Sequence, residues 1–136
     1  MIKSSGTLII QDKKILLCHP TNSSWYGTYS IPKGLIEENE TTFECAKREL
    51  KEETGIQIPD EYYNKCEYFI DYKSKDGKSY KRVYYFVANI PNNFLPEVIS
   101  HYDLQLDEVD WAGFLDYDKA TKKIFQRQKE LLKFCL

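Results

Sequence analysis

Residues 34–56 read GLIEENETTFECAKRELKEETGI, and this stretch decides how the rest of the chain is interpreted. It predicts a helix over residues 41–54, because Thr41 followed by Glu44 is a capping-box pattern and Gly55 is a typical helix stop. The stretch carries seven acidic and three basic side chains. A helix would place three of the glutamates at i, i+3 and i+4 on one face. These glutamates are Glu49, Glu52 and Glu53.

Helix stability alone does not favour this acidic face. Like charges at these spacings cost about 0.2–0.5 kcal/mol per pair. Glu52 and Glu53 also lie in the last turn, where the helix dipole disfavours anions. Clustered carboxylates are instead the ligands that a hard divalent cation prefers. The alternative is a solvated acidic face in which Lys47 and Lys51 offset part of the charge.

The spacing of the stretch resembles the Nudix box, G-x5-E-x7-R-E-U-x-E-E-x-G-U, where U is aliphatic. This resemblance implies an α/β Nudix fold, a mixed β-sheet sandwiched between α-helices, as a single domain over residues 1–136. It also implies an enzyme, a pyrophosphohydrolase that uses Mg²⁺ or Mn²⁺ to cleave a nucleoside diphosphate linked to another group. The residues that fill the fixed positions are Gly34, Glu40, Arg48, Glu49, Leu50, Glu52, Glu53, Gly55 and Ile56.

The family pattern also implies a role for individual side chains. Glu49, Glu52 and Glu53 would be catalytic and would bind the metal, with the carbonyl of Lys33 as a further ligand. Which glutamate acts as the general base stays open, as does the number of metal ions. Arg48 would orient a box glutamate, and Glu40 would brace the loop against the helix.

Many Nudix enzymes also use a carboxylate that lies well outside the box. Glu108, just before the strand that contains Trp111, occupies the position where the family often places it. Glu97 is the other candidate. We predict that Glu108 is the additional catalytic and metal-binding residue.

The substrate class is indicated by residues on either side of the box. Pro32-Lys33-Gly34 and the strand that begins at Lys81 resemble the branch acting on dinucleoside polyphosphates such as diadenosine tetraphosphate, and Tyr72 has the spacing of an adenine-stacking tyrosine in that branch. The predicted substrate-binding residues are Lys33, Tyr72, Lys81 and Tyr85. The alternatives are a nucleoside triphosphate pyrophosphohydrolase that removes damaged or surplus nucleotides, and a catalytically silent nucleotide-binding regulator.

Three aromatic or basic side chains outside these motifs are also candidates. Trp25 and Tyr26 lie at the start of a predicted strand at residues 25–31, and they could either stack on a nucleobase or plug the core. His19 could contact a phosphate, although a lone histidine at a strand end is more often a structural hydrogen-bonding residue.

The remaining pattern predicts strands and two further helices around the box. Asp76-Gly77 is a strong hairpin signal between two of the strands. The predicted strands are residues 7–10, 15–18, 66–73, 79–90 and 109–115, with a short helix capped by Asp116 and an amphipathic helix over residues 124–136.

Composition narrows the partners of the chain. Its 136 residues are 42% hydrophobic and 15% aromatic, with a net charge of −2. This composition is typical of a globular protein and offers no overall basic surplus for nucleic acid. No apolar run has the roughly 18–20 residues of a membrane span. We therefore expect a cytoplasmic monomer or homodimer whose partner is a small nucleotide, without nucleic acid or membrane.

Overall fold

The computed structural model describes residues 1–73 and 76–136, and a six-stranded mixed sheet organises them. Its strands are Ile2–Gln11 (β1), Lys14–Pro20 (β2), Lys33–Leu35 (β3), Tyr68–Lys73 (β4), Tyr80–Asn89 (β5) and Val109–Leu115 (β6). The helices are Thr42–Thr54 (α1) and Tyr117–Lys123 (α2), with 3₁₀ helices at Asp60–Tyr62, His101–Asp103 and Gln126–Cys135.

The sheet divides beside its central strand. The strand order is β4-β5-β1-β2-β6, with β1 and β5 parallel and β3 also paired to β1. β2 pairs with β1 at Ile10 and Gln11, whereas β3 takes the same edge of β1 from Ser4 to Gly6. Residues 29–35 therefore run between β1 and β2 where these strands separate, and this separation opens the groove described below.

Two apolar layers cover the sheet, one on each face. On one face the core contains Leu17, Val83 and Ile124, together with residues of the C-terminal 3₁₀ helix. On the other face it contains Leu16 and Phe86, packed against α1. The predicted mixed sheet between helices is confirmed. None of the helices in the described residues is both long enough and apolar enough to span a membrane.

The predicted strand over residues 25–31 is wrong. Only Tyr29 and Ser30 make isolated bridges, and the strand begins after Pro32, at Lys33. Proline lacks a backbone N–H but keeps its carbonyl, so it does not stop the strand here. The Pro32 carbonyl accepts a 3.2 Å hydrogen bond from the Thr7 amide, and the chain continues along β1.

The predicted C-terminal α-helix over residues 124–136 also differs from the structure. Ile124 is extended and bridges Tyr29, and the Phe125 amide donates a 2.7 Å hydrogen bond to the Tyr29 carbonyl. This pairing holds the chain out of a helix until Gln126, where a 3₁₀ helix begins and continues to Cys135.

Candidate active site

Helix α1 is fixed at both ends as its sequence predicts. The Thr41 hydroxyl accepts a 3.0 Å hydrogen bond from the Glu44 amide, and the Glu44 carboxylate accepts one of 2.9 Å from the Thr41 amide. Gly55 ends the helix in the left-handed conformation, with φ of 74°, and donates to the Lys51 carbonyl. The capping box and the helix stop are confirmed.

Arg48 ties the loop before α1 to the glutamates of the helix. Its Nε donates a 2.6 Å hydrogen bond to Glu40, and this bond is the main cause of a Glu40 pKa lowered to about 2. Its Nη1 lies 3.0 Å from Glu49 and 3.1 Å from Glu52, while its Nη2 donates to the Leu35 carbonyl. Arg48 therefore orients two of the three predicted helix ligands, Glu49 and Glu52, and Glu40 braces the loop.

Glu49 packs directly against the backbone of Gly34. Its side chain is only 13% exposed. Burial raises the pKa of Glu49, and the adjacent Arg48 opposes that rise. A Cβ atom added to Gly34 would overlap the Glu49 carboxyl group. The first glycine of the motif is thus needed so that the backbone can approach this carboxylate.

Glu53 is the most strongly perturbed carboxyl group of the helix. Burial, followed by the charge of Glu49, raises its pKa to about 8. The charge of Lys33 and a hydrogen bond from the Lys33 backbone oppose this rise, whereas Glu108 adds to it. In turn, burial lowers the pKa of Lys33. A half-buried carboxyl group and a half-buried lysine therefore interact electrostatically beside the start of β3.

Glu108 lies beside Glu53, because its loop is tied to both neighbouring elements. The Gln105 amide donates a 3.0 Å hydrogen bond to the Glu53 carbonyl, and the Thr21 amide donates one of 3.1 Å to the Glu108 carbonyl. Both glutamates line a cavity of about 160 Å³, which we call the acidic cavity. Its other lining residues are Cys18, Pro20, Ser30, Ile31, Lys33 and Val109.

Glu97 lies elsewhere. Its carboxylate forms a 3.0 Å ion pair with Lys14, next to the β1–β2 turn. Its carbonyl accepts a hydrogen bond from the Phe114 amide, near the far end of β6 from Glu108. The geometry favours Glu108 as the additional carboxylate of the site, and its catalytic role stays a prediction.

A second cavity adjoins the acidic one and has the opposite character. This basic cavity, of about 190 Å³, contains three of the predicted substrate-binding residues, Lys33, Tyr72 and Lys81, together with Lys73. Pro20, Ser30 and Lys33 line both cavities. The two cavities therefore form one groove, with carboxylates at one end and lysines at the other. The remaining lining residues of the basic cavity are Thr28, Phe125 and Gln128.

Tyr85 does not belong to this groove, and that part of the prediction is wrong. The residue is only 2% exposed and stacks on Tyr68, with Phe134 against its edge. It shares the sheet face of Lys81, as alternation predicts. However, it lies four residues further along β5, about 13 Å deeper in the sheet, where the C-terminal 3₁₀ helix covers it.

Two residues of the basic cavity were missed by sequence reasoning. Phe125 contacts Tyr72, with 5.6 Å between ring centroids. Gln128 is fully buried, accepting from the Ile31 amide and donating to the Ser30 hydroxyl, each at 3.1 Å. The apolar pattern around Gln128 predicted a segment that faces the core. A glutamine at a core-facing position was the sign in the sequence that this side chain has a specific hydrogen-bonding role.

The carboxylates suit a hard divalent cation in their chemistry. Glu49, Glu53 and Glu108 offer oxygen atoms only, and the raised pKa of Glu53 marks a place where added positive charge is favourable. Across residues 1–73 and 76–136, no three acidic, histidine or cysteine side chains are close enough to share one ion. Arg48 accounts in part for the separation of these carboxylates, because it forms ion pairs with Glu49 and Glu52.

The family model for the NUDIX domain matches residues 3–135 of the chain. The chain belongs to the Nudix family. An ADP-ribose pyrophosphatase from Methanocaldococcus jannaschii is 32% identical over 123 residues, which cover 90% of this chain and 66% of that protein. The mRNA-decapping enzyme subunit 2 of Saccharomyces cerevisiae is 30% identical over 115 residues, 83% of this chain. The chain spans only 10% of that enzyme's length.

Solved structures show the same fold. A Caenorhabditis elegans Ap4A hydrolase in a binary complex superposes with a TM-score of 0.73 at 23% identity, covering 98% of this chain and 94% of that one. A MutT Nudix hydrolase from Burkholderia pseudomallei superposes with a TM-score of 0.71 at 18% identity, covering 97% and 95%. The predicted Nudix fold is confirmed, and the family and its named relatives support the predicted class of enzyme, a pyrophosphohydrolase.

Proposed function

We propose that this chain hydrolyses a pyrophosphate bond of a dinucleoside polyphosphate, with diadenosine tetraphosphate as the preferred substrate. The observation that carries the proposal is the groove in which an acidic and a basic cavity meet at Lys33. A polyphosphate chain needs a metal site at the bond that breaks and cations along the phosphates that remain. The groove offers carboxylates for a metal ion at one end and lysines for the phosphates at the other.

The acidic cavity, together with the other glutamates of α1, would perform the chemistry. Glu49, Glu52, Glu53 and Glu108, with the carbonyl of Lys33, would hold Mg²⁺ or Mn²⁺. The ion supplies charge neutralisation and a lower pKa for a bound water. Which of these glutamates acts as the general base stays open, because a carboxyl group whose pKa is raised to about 8 already holds a proton near neutral pH. Arg48 would keep Glu49 and Glu52 aimed at the ion.

The basic cavity would hold the phosphates and one base. Lys33, Lys73 and Lys81 supply three ammonium groups, and charge-assisted contacts to phosphate are the stronger class of hydrogen bond. Tyr72 and Phe125 supply two ring surfaces in the same cavity, where an adenine can stack. A longer polyphosphate makes use of more of these lysines than a nucleoside triphosphate does.

Capped RNA is a second candidate substrate. The mRNA-decapping and NAD-capped RNA hydrolases that resemble this chain are named for such substrates. Residues 117–136 also contain six basic and two acidic side chains, a local surplus that the total charge conceals. A basic surface of this kind attracts an RNA backbone. The expectation that nucleic acid is excluded therefore needs a direct test.

A substrate panel distinguishes these candidates. It contains diadenosine tetraphosphate, ATP, 8-oxo-dGTP, ADP-ribose and a short capped RNA, each incubated with Mg²⁺ and with Mn²⁺, and products are identified by chromatography. We expect the highest kcat/KM for diadenosine tetraphosphate. A higher value for a triphosphate supports the nucleotide-housecleaning alternative, and one for capped RNA supports decapping. Binding without turnover on any compound supports a silent regulator.

Variants of the basic cavity test the cause of the preference. Lys81→Ala should lower kcat/KM for diadenosine tetraphosphate more than for ATP, whereas Lys78→Ala, at an exposed position outside the cavity, should change neither. Tyr72→Ala should weaken binding of the dinucleotide, with Tyr72→Phe as the control that keeps the ring. An unchanged preference in Lys81→Ala and Tyr72→Ala would contradict the proposed placement of the polyphosphate.

A further inference from the structure

An exposed tryptophan stands in the loop between β2 and β3, held by a buried histidine. Trp25 is 50% exposed, yet its ring is stacked on His19 with 3.6 Å between centroids and 3° between planes. Tyr29 meets the edges of both rings. One face of the indole is therefore covered, and its orientation is fixed. The hydrophobic-plug interpretation does not fit a residue with this exposure.

His19 is itself fixed by three hydrogen bonds. Its Nε2 lies 3.1 Å from the Ser23 carbonyl and 2.9 Å from the Ser24 carbonyl, so this nitrogen donates. Its Nδ1 lies 2.5 Å from an Asp110 carboxyl oxygen. His19, at the end of β2, therefore fixes the loop that carries Trp25 through hydrogen bonds and stacks on one face of the indole ring. It does not contact the groove.

The loop lies at the rim of the basic cavity. Pro20 and Thr28, at its two ends, both line that cavity. Trp25 is three residues from Thr28, so their Cα atoms are at most about 11 Å apart. The Thr28 amide donates a 3.0 Å hydrogen bond to the Lys123 carbonyl, which joins the loop to α2.

A cation lies next to one exposed and one buried tyrosine ring of this loop. The Lys123 ammonium lies 5.0 Å from the centroid of the Tyr26 ring and 5.2 Å from that of Tyr29. Tyr26 is 70% exposed. A pre-oriented indole beside an exposed tyrosine and a lysine has the chemistry of a site for a nucleobase and its phosphate, because bases stack on aromatic faces and phosphates pair with ammonium groups.

We propose that Trp25, with Tyr26 and Lys123, forms an outer subsite that binds the second nucleoside of the substrate. This inference rests on the proposed dinucleoside polyphosphate activity and extends it to the end of the substrate furthest from the Tyr72 ring. One base lies in the basic cavity, the phosphates pass Lys33 and Lys81, and the second base stacks on the open face of Trp25. A mononucleotide reaches only one of the two base sites.

The chain has two tryptophans, which makes a direct test possible. In Trp111→Phe, Trp25 is the sole tryptophan, and phenylalanine keeps a ring against Tyr29. Diadenosine tetraphosphate, ATP and inorganic tripolyphosphate are added to this variant in EDTA, and tryptophan emission is recorded. We expect saturable quenching by the dinucleotide, weaker quenching by ATP at equal occupancy, and none by tripolyphosphate. Bound dinucleotide with unchanged emission overturns the outer subsite.

Kinetics of the otherwise unchanged chain provide the second measurement. Trp25→Ala should raise KM for diadenosine tetraphosphate about 5- to 150-fold, the range expected for one lost base stack, and leave KM for ATP within about twofold. Trp25→Phe should recover most of the affinity. Tyr102→Ala is the matched control, because Tyr102 is also an exposed aromatic residue, at 100%, and lines neither cavity.

The two proposals fail in different ways. If the wild-type chain prefers diadenosine tetraphosphate and Trp25→Ala cleaves it with unchanged KM, the outer subsite is wrong and the proposed function stands. If the wild-type chain does not cleave diadenosine tetraphosphate, both are wrong. Equal losses in Trp25→Ala for the dinucleotide and for ATP would place Trp25 at the inner nucleoside and would also overturn the outer subsite.

Discussion

Replacing Glu53 with glutamine should remove a pH-dependent instability from the metal-free protein. Burial and the charge of Glu49 raise the pKa of Glu53 from 4.5 to about 8. The folded chain therefore keeps a proton on this carboxyl group between about pH 4.5 and pH 8, whereas the unfolded chain loses it. Because the folded state binds more protons in this window, its stability is greatest at the acid end and falls as the pH rises to about 8.

The size of the effect follows from the same shift. A change from 4.5 to about 8 corresponds to at most about 5 kcal/mol of unfolding free energy, at about 1.4 kcal/mol per pKa unit. Lys33 already compensates part of the charge, and the carboxyl group keeps some solvent contact. We therefore expect the wild-type chain to lose about 2–3 kcal/mol between pH 5 and pH 9.

Urea unfolding in EDTA at several pH values measures this difference. Glu53→Gln should be similar to wild type at pH 5 and more stable by about 2 kcal/mol at pH 9. Glu52→Gln is the control, because Glu52 is 47% exposed and paired with Arg48. Parallel stability profiles for wild type and Glu53→Gln would refute the assignment of the buried charge to Glu53.

Adding a metal ion should make the wild-type chain more stable than Glu53→Gln, the reverse of their order without metal. A ligand that binds only the folded state raises the unfolding free energy, so Mg²⁺ at pH 8 should raise the Tm of the wild type and have little effect on Glu53→Gln. The variant should also lose turnover by about 100-fold or more, as expected when a general base or a metal ligand is removed. Near wild-type turnover would exclude Glu53 from the chemistry.

Two further substitutions test the carboxylate outside the box and the glycine that contacts Glu49. Glu108→Gln should lower turnover at saturating Mg²⁺ by about 100-fold, whereas Glu97→Gln should lower it less than about twofold; the reverse order would identify the Glu97 loop as the source of the additional carboxylate. Gly34→Ala should destabilise the chain by about 1–3 kcal/mol and reduce turnover, because the new methyl group overlaps Glu49. Gly77→Ala, where a Cβ meets no atom within 4 Å but φ is +70°, should leave turnover unchanged and cost only local backbone strain.

The acidic half of the site was predictable because it is local. Glu49, Glu52 and Glu53 follow from their spacing on one helix, and Thr41 and Gly55 fix where that helix begins and ends. The spacing did not predict that Arg48 would pair with two of these carboxylates and so compete with a metal ion for them. Arg48 contacts Glu49 and Glu52 through rotamers that depend on Leu35 and Glu40 in the preceding loop.

The basic half depends on contacts between distant segments, and sequence reasoning recovered it only in part. Alternation along β5 placed Lys81 and Tyr85 on one face, and this is correct. Which of them meets the groove depends on where the C-terminal 3₁₀ helix lies over the sheet, and that helix was predicted to begin too early. The pairing of Ile124 with Tyr29, almost a hundred residues apart in sequence, sets its position.

The division of the groove explains why Lys33 occupies its centre. In the acidic cavity its ammonium is the cation that opposes the charge on Glu53, and in the basic cavity it stands beside Lys81, whose charge disfavours its own. Both the carboxylates and an incoming polyphosphate favour the charged form of Lys33, whereas burial disfavours it. Burial is the largest of these effects, so the pKa of Lys33 is lowered, and a bound polyphosphate would favour its charged form again. A lysine at this position joins the two cavities, since a neutral side chain would leave the polyphosphate without its central contact.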